Sequence, residues 1–318
     1  MAERDLIEQL QNALESTARP SDLQIRELRS LALRLGDMPR EDFRQRLRNR
    51  LKEQAMAMAT ATVNPIREGF PTLTPYFVVT DAVGFIDFLK AAFGAEEKMR
   101  APGPDGRIMH AEMKIGDSPV ELGQGNEQFP SRPAAIHLYV PDTDTAYQRA
   151  LAAGATSIHG VQEMPYGERS GSVTDAFGNN WYIATQHGPK HIPAGLRTVN
   201  AYLHPVGTGD LIAFLKEAFG GEEVEVYREQ ADGPIVHAKI RIGDSILEMG
   251  EAHGQIQPMP MGLHMYVPNV DEVYQRALEA GATSIFPVTD QPYGERSGGV
   301  KDPAGNQWFI ATMLPVRK

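Results

Sequence analysis

Apolar residues first recur at helical spacing. Leu6, Leu10 and Leu14 return every four residues, which predicts a first helix. Ser21-Asp22 can cap a second carrying Ile25, Leu28, Leu31 and Leu35, and Gly36 can end it. A third follows Pro39, with Phe43, Leu47 and Leu51 on one stripe and Arg40, Arg44, Arg46, Arg48, Arg50 and Lys52 around the remainder. Such a basic run interleaved with an apolar stripe reads as the solvated face of a helix packed on the rest of the protein or on a second copy of the chain. Residues 55–70, rich in Ala, Met and Thr and containing Pro65 and Gly69, read as helix end and linker. Residues 1 to about 65 are therefore expected to be a helical N-terminal extension.

From residue 72 the rhythm changes. Leu73–Val79 is strand-like, and Asp81 caps a helix whose apolar face is Phe85, Phe88, Leu89 and Phe93 and whose end is Gly94. Three short strands are expected around Glu97–Arg100, Ile108–Ile115 and Pro119–Leu122, separated by Pro104-Asp-Gly106 and Gly116-Asp-Ser118. The pattern then restarts: Ile136–Val140, an Asp142 cap, a helix through Tyr147, Ala150 and Leu151, a stop at Gly154, and strands closing on Trp181–Ala184. Each unit reads strand, helix, three strands.

Two such units form a period that the chain repeats. Pro165-Tyr-Gly-Glu-Arg-Ser-Gly171 returns letter for letter as Pro292-Tyr-Gly-Glu-Arg-Ser-Gly298, and 292 − 165 = 127. The same offset carries His110 to His237, Glu121 to Glu248, His137 to His264 and Trp181 to Trp308. Phe93 matches Phe219 at 126, so one single-residue length change lies between Gly94 and Asp105, where a surface loop is expected. A period this long means domains rather than a stacked array, whose repeats run roughly 20 to 50 residues. The expected organisation is α+β: an extension over 1–65, one domain over 72–187 and another over 198–314.

Composition narrows the function classes. With 42% hydrophobic and 23% charged residues the chain reads as globular, and no apolar run approaches the roughly 18 residues of a membrane span. Met1-Ala-Glu-Arg-Asp-Leu-Ile7 lacks the basic start and apolar core of a secretory signal. The chain has no cysteine, which excludes thiol chemistry and suits a cytoplasmic location. A net charge of −10 argues against nucleic acid as a partner, since that affinity comes from Lys and Arg neutralising phosphates.

The ordered set Thr74-Pro-Tyr-Phe-Val78, Phe88 to Glu96, His110-Ala-Glu-Met-Lys-Ile-Gly-Asp-Ser118, His137-Leu-Tyr-Val140, Gly167-Glu-Arg169 and Asp175-Ala-Phe-Gly-Asn179 with Trp181 resembles the vicinal oxygen chelate superfamily of glyoxalases, bleomycin-resistance proteins and ring-cleaving dioxygenases, nearest the PhnB-type glyoxalase-like branch. The second copy repeats most of it, ending Asp302-Pro-Ala-Gly-Asn306 and Trp308. The resemblance implies paired βαβββ modules whose sheets cup a cavity, hence two cavities per chain. It also implies that the fusion reproduces what single-repeat relatives achieve by dimerising. Whether module one closes with module two or with module four stays open.

The resemblance further implies a divalent metal held from the first, fourth, fifth and eighth strands of a pair of modules. Those positions fall on Thr74, Glu121, Ala135 and Tyr182 in copy one and on Asn200, Glu248, Gly262 and Phe309 in copy two. One good ligand per copy remains, against the three protein ligands of a usual catalytic site. His137 and His264 lie two residues from the vacant fifth-strand position, on the same side but displaced by about 6 to 7 Å, several times a bond of about 2 Å. If any metal binds, His204, Glu248 and His264 are the expected set; otherwise no cofactor is expected. His110 and His237, each alternating with charged residues, read as exposed or rim positions.

By strand parity the cup of copy one would be lined by Tyr76, Glu121, His137, Tyr139 and Tyr182, and that of copy two by Tyr202, Glu248, His264, Tyr266 and Phe309. The same tyrosines can equally be core. An aromatic wall with one carboxylate and one imidazole suits a largely apolar ligand bearing a polar or cationic group, and a Glu–His pair can also act as general acid and base. Arg169 and Arg296, each six residues before an Asp, are read as holding the Asp-x-x-Gly-Asn turn. Three functions are carried forward: metal-independent binding of a small organic molecule; a divalent-metal-dependent lyase, isomerase or dioxygenase; and an interaction scaffold through the N-terminal helices, which could also form a homodimer. No residue is assigned a catalytic role.

Overall fold

The computed structural model of the chain describes residues 65–254 and 256–315; the helical extension expected before them lies outside the described residues. Copy one holds β1 (Leu73–Val79), α1 (Ala82–Phe93), β2 (Glu96–Pro102), β3 (Ile108–Ile115), β4 (Ser118–Gln124), then β5 (Ala135–Tyr139), α2 (Thr143–Ala152), β6 (Thr156–Met164), β7 (Glu168–Thr174) and β8 (Asn180–Gln186). Copy two holds β9 (Val199–Leu203), α3 (Thr208–Phe219), β10 (Glu222–Arg228), β11 (Ile235–Ile242), β12 (Ser245–Met249), then β13 (Gly262–Tyr266), α4 (Val270–Glu279), β14 (Thr283–Asp290), β15 (Glu295–Lys301) and β16 (Gln307–Met313). The βαβββ unit thus occurs four times. No helix among the described residues is long and apolar enough to cross a membrane.

Local chemistry sets the helix ends. Asp81 accepts a hydrogen bond from the Gly84 amide at 3.1 Å, and Gly94, left-handed at φ 67°, closes α1 by donating to the Leu89 and Lys90 carbonyls. The start of α3 is different. Gly207 stands where Asp81 stood, at φ 80° with no side chain to cap, and the Glu251 carboxylate accepts from the Gly207 and Thr208 amides at 2.6 and 2.7 Å instead.

Module one pairs with module four, and module two with module three. The first sheet runs β14-β15-β16-β13-β1-β4-β3-β2 and the second β10-β11-β12-β9-β5-β8-β7-β6. At the first seam β1 and β13 are antiparallel, with Thr74 opposite His264 and Tyr76 opposite Gly262; at the second, β5 and β9 bring His137 opposite Asn200. Each eight-stranded sheet is therefore built from both copies. The backbones approach so closely at the first seam that a Cβ on Gly262 would lie 2.6 Å from the Tyr76 carbonyl oxygen.

Two devices bind the copies together. The Gly-Asp-Ser turns, expected to do no more than reverse the chain, also hold the other copy's first strand: Asp117 and Ser118 accept from the Thr198 and Val199 amides at 2.9 Å each, and Asp244 and Ser245 accept from the Thr72 and Leu73 amides at 2.7 and 3.0 Å. The second device is a shared core. One apolar cluster contains residues of both copies and the buried faces of both sheets, and within each copy the helices tie one sheet to the other, α1 packing on α2 and α3 on α4. Trp181 of β8 is buried against Phe77 of β1 and Phe93 of α1 at centroid distances of 5.7 and 4.6 Å, while its indole donates to Asp175 at 2.9 Å. Trp308 repeats the arrangement with Phe219 and Asp302.

The role expected for the arginines needs a correction. Arg169 binds Asp144 at the start of α2 through two hydrogen bonds, at 2.5 and 2.7 Å, and Glu163 at 3.0 Å; Arg296 binds Asp271 and Asp290 in the same way. Neither holds the Asp-x-x-Gly-Asn turn. Asp175 already takes amide and indole donors from Phe177, Asn179 and Trp181, and Asp302 takes those of Asn306 and Trp308, so each carboxylate is satisfied without a guanidinium.

Candidate functional site

Strand alternation sends Phe77 into the core and so turns Tyr76, two residues from Thr74, to the opposite face of β1. That face of the first sheet gathers Tyr76 and Glu121 from copy one with His264, Tyr266 and Phe309 from copy two. The second sheet gathers Tyr202 and Glu248 with His137, Tyr139 and Tyr182. The residues grouped by copy in the sequence are thus exchanged between copies, because the sheets are. The first face curves: Phe129, in the loop after β4, comes within 6.4 Å of Phe286 on β14, five positions away in strand order. Flat strands about 4.8 Å apart would hold them far beyond contact.

Each face carries the same chain of groups. In the first sheet Glu121 Oε2 lies 2.7 Å from His264 Nδ1, His264 Nε2 lies 3.8 Å from Glu295 Oε2, and the Tyr266 hydroxyl donates to Glu295 Oε1 at 2.6 Å. In the second, Glu248 Oε2 lies 3.0 Å from His137 Nδ1, His137 Nε2 lies 3.7 Å from Glu168 Oε2, and Tyr139 donates to Glu168 at 2.8 Å. Burial pulls the His137 and His264 pKa values down, but the carboxylates of Glu248 and Glu121 outweigh it and both end above the ordinary imidazole value. Burial would raise Glu248, and the His137 imidazole more than reverses that, leaving it below the usual carboxylate range. Burial, reinforced by the same carboxylates, pushes Tyr139 and Tyr266 far above the usual phenol value, so both stay protonated donors.

Glu168 and Glu295 lie outside the set that strand parity picks from the sequence. They come from the duplicated Pro-Tyr-Gly-Glu-Arg-Ser-Gly stretch, whose letter-for-letter retention was the available signal. His110 and His237 sit at the edge of the faces with side chains 27% and 26% exposed, their Nδ1 atoms 3.3 and 3.2 Å from the hydroxyls of Tyr76 and Tyr202. His204, by contrast, is buried, and its Nε2 lies 2.7 Å from the Tyr182 hydroxyl. Burial lowers His204 to about 4 and raises Tyr182 to about 12, so a neutral imidazole accepts from a protonated phenol. The set His204, Glu248 and His264 is not brought together: the first two lie on the second sheet, while His264 lies on the first beside Glu121.

The superfamily's metal positions can now be tested within each sheet. In the first they are Thr74, Glu121, Gly262 and Phe309; Gly262 has no room for a side chain, Phe309 offers no donor, and Glu121 is engaged by His264. In the second, both polar atoms of the Asn200 amide are committed to the Arg197 backbone at 3.0 and 2.7 Å, Ala135 has no donor, Tyr182 is held by His204 and Glu248 by His137. With only Glu121 and the buried, unpartnered Thr74 hydroxyl left on the first sheet and Glu248 on the second, against the three protein ligands of a usual catalytic site, those positions do not fit a divalent ion. A different group could: donor atoms of His110, Glu112 and Glu121 lie within 4.8 Å of one another. There the Arg67 guanidinium already grips both oxygens of Glu112, at 2.5 and 3.1 Å. Burial would raise the Glu112 carboxyl, but hydrogen bonds from His110 and Arg67 overcome it and keep it low. Across the pseudo-repeat the place of Glu112 is taken by Lys239, so the group exists on the first sheet alone.

Comparison with known proteins agrees with this architecture. The chain is similar to an uncharacterized protein of Mycobacterium bovis, 41% identical over 124 residues, which is 36% of this chain and 82% of that protein. It is equally similar to one of Mycobacterium tuberculosis, 41% identical over 124 residues and 73% of its length. Among solved structures, glyoxalase I from Zea mays superposes with a TM-score of 0.57 at 13% identity over 75% of this chain and 92% of that one, a likeness of fold. The family model of the Glyoxalase/Bleomycin resistance protein/Dioxygenase superfamily matches residues 72–183 and again 208–310. With that model spanning most of the chain and four βαβββ units forming two eight-stranded sheets, the chain belongs to the Glyoxalase/Bleomycin resistance protein/Dioxygenase superfamily.

Proposed function

We propose that the two curved faces bind small organic molecules, each with a largely apolar body and a polar or cationic group, without the divalent metal usual in this superfamily. The observation that carries this reading is the state of Glu121 and Glu248. Each is the one carboxylate left among its sheet's metal positions, and each is 1% exposed and hydrogen-bonded to an imidazole. A carboxylate so compensated is a poor partner for a divalent ion and a good one for a ligand donor presented between aromatic walls. Ligand contacts are assigned to Tyr76, Glu121, His264, Tyr266 and Phe309 on the first face and to Tyr202, Glu248, His137, Tyr139 and Tyr182 on the second.

The test has two arms. Purified protein dialysed against a chelator and then plain buffer is analysed for Ni, Zn, Fe and Mn, and the metal-depleted protein is titrated calorimetrically with bleomycin and with 2-naphthylmethylammonium chloride. The expectation is substoichiometric metal and binding that added chelator leaves unchanged. One equivalent of any of these metals surviving dialysis, or binding that depends on adding one, would overturn the reading.

His110, Glu112 and Glu121 favour a second reading, a metal-dependent lyase, isomerase or dioxygenase working on the first sheet alone. It requires Arg67 to leave Glu112, and it predicts one metal per chain that the Glu112→Gln variant loses.

A further inference from the structure

Around their shared Glu–His–Glu–Tyr chain the two faces differ, and the differences are correlated. On the first sheet Phe309 lies 6.0 Å from Phe129, 6.3 Å from Phe286 with rings inclined by 20°, and 5.1 Å from Tyr76. Phe286 can lie there because its partner across the β14–β15 ladder is Gly299, where a Cβ would come within 2.4 Å of the ring. The first sheet thus offers four aromatic rings gathered about Phe309, beside Glu121 and His264.

The second sheet replaces these residues in concert. By the repeat offsets, 309 − 127 = 182, 286 − 127 = 159, 299 − 127 = 172 and 78 + 126 = 204, so Tyr182, His159, Ser172 and His204 stand for Phe309, Phe286, Gly299 and Val78. Tyr182 and His204 are hydrogen-bonded to each other at 2.7 Å. Ser172 Oγ and Glu248 Oε1 are buried with no hydrogen-bond partner, each in a residue 1% exposed. Ser172 pairs in register with Tyr182, and Glu248 with Tyr202, which puts both atoms on the ligand-facing side. A buried polar atom without a partner is costly, and a ligand carrying matching donors and acceptors removes that cost.

We infer that the two faces take different ligand classes: the first sheet an aromatic body with a cationic nitrogen, the second a polar molecule whose hydroxyl or amino groups reach Ser172, Glu248 and the Tyr182–His204 pair. This rests on the small-molecule reading above and adds the division of labour to it.

Titration of the full chain with 2-naphthylmethylammonium chloride tests the division, with thermal melts confirming that each variant folds. The parent is expected to bind one equivalent. Phe286→His with Phe309→Tyr, which gives the first face the second's residues, is expected to weaken that site by about tenfold or more. Tyr182→Phe, His159→Phe, Ser172→Gly and His204→Val together are expected to raise the stoichiometry to two. Two equal sites in the parent, or a single site indifferent to the Phe286 and Phe309 changes, would overturn the division and leave the binding reading standing. No binding by any of the three proteins overturns the binding reading and the division together. Should the fourfold variant fail to fold, the twofold variant decides alone.

Discussion

A histidine buried beside a carboxylate is under two opposed pressures, and His137 and His264 show which is stronger. Burial alone lowers an imidazole pKa, yet both end above the usual value because Glu248 and Glu121 lie within hydrogen-bond reach. In Glu248→Gln the nearer charge goes while the burial and Glu168 stay, so His137 is expected to titrate below its value in the parent protein when followed by NMR; an unchanged or higher value would contradict the assignment. The sign for stability follows. His137, raised when folded, contributes stability that is complete below the unfolded value of about 6.5 and lost as pH rises through the higher folded value. Glu248, lowered when folded, contributes stability that is complete above its unfolded value and lost as pH falls through the lower folded one. The variant should therefore be most destabilised between about pH 4.5 and 6.5, by roughly 1.5 to 3 kcal/mol for a charged buried hydrogen bond. At this scale parity put the tyrosines, glutamates and histidines on one side of their strands, because alternation is a property of the strand itself, but it joined His137 to Glu121 and His264 to Glu248, which lie on different sheets. It missed Glu168 and Glu295, which stand in the duplicated Pro-Tyr-Gly-Glu-Arg-Ser-Gly stretch, since nothing local shows that β7 and β15 begin at the glutamates.

Helix α3 shows an element whose start depends on a residue far along the chain. The sequence revealed Asp81 and Asp142 as caps because the bond closes within three residues; it could not reveal Glu251, which lies 44 residues after Gly207. Chemical denaturation should give a loss of about 1 kcal/mol for Asp81→Ala and a similar or larger loss for Glu251→Ala. Gly207→Asp, which would make the two copies alike, should not stabilise. Gly207 sits at φ 80°, where a non-glycine residue costs of order 1 to 3 kcal/mol, and Asp210 Oδ2 would lie 3.2 Å from the new Cβ. A gain in stability from that substitution would refute the argument.

For the whole molecule the 127-residue period established two copies but not how they interlock, because module pairing depends on which strand edges meet in three dimensions. The outcome is a structure in which neither copy owns a sheet. Residues 65–187 expressed alone should accordingly form a homodimer, each chain's first module closing with the other's second, as light scattering would show. A folded monomer of that fragment would mean that one copy suffices, contrary to the seams at β1–β13 and β5–β9. The Gly-Asp-Ser turns, legible as turns, acquired their second task from the same interlocking.

The two seams also differ in the stretch of chain they enclose. Ile136 and Ala201 meet across 201 − 136 = 65 residues, whereas Tyr76 and Gly262 meet across 262 − 76 = 186. The pairing is nested, like one bracket inside another. A chain emerging from the ribosome can complete the inner bracket while β1 is paired with β4 alone, so the other edge of β1 must wait, open, until most of the protein has been synthesised.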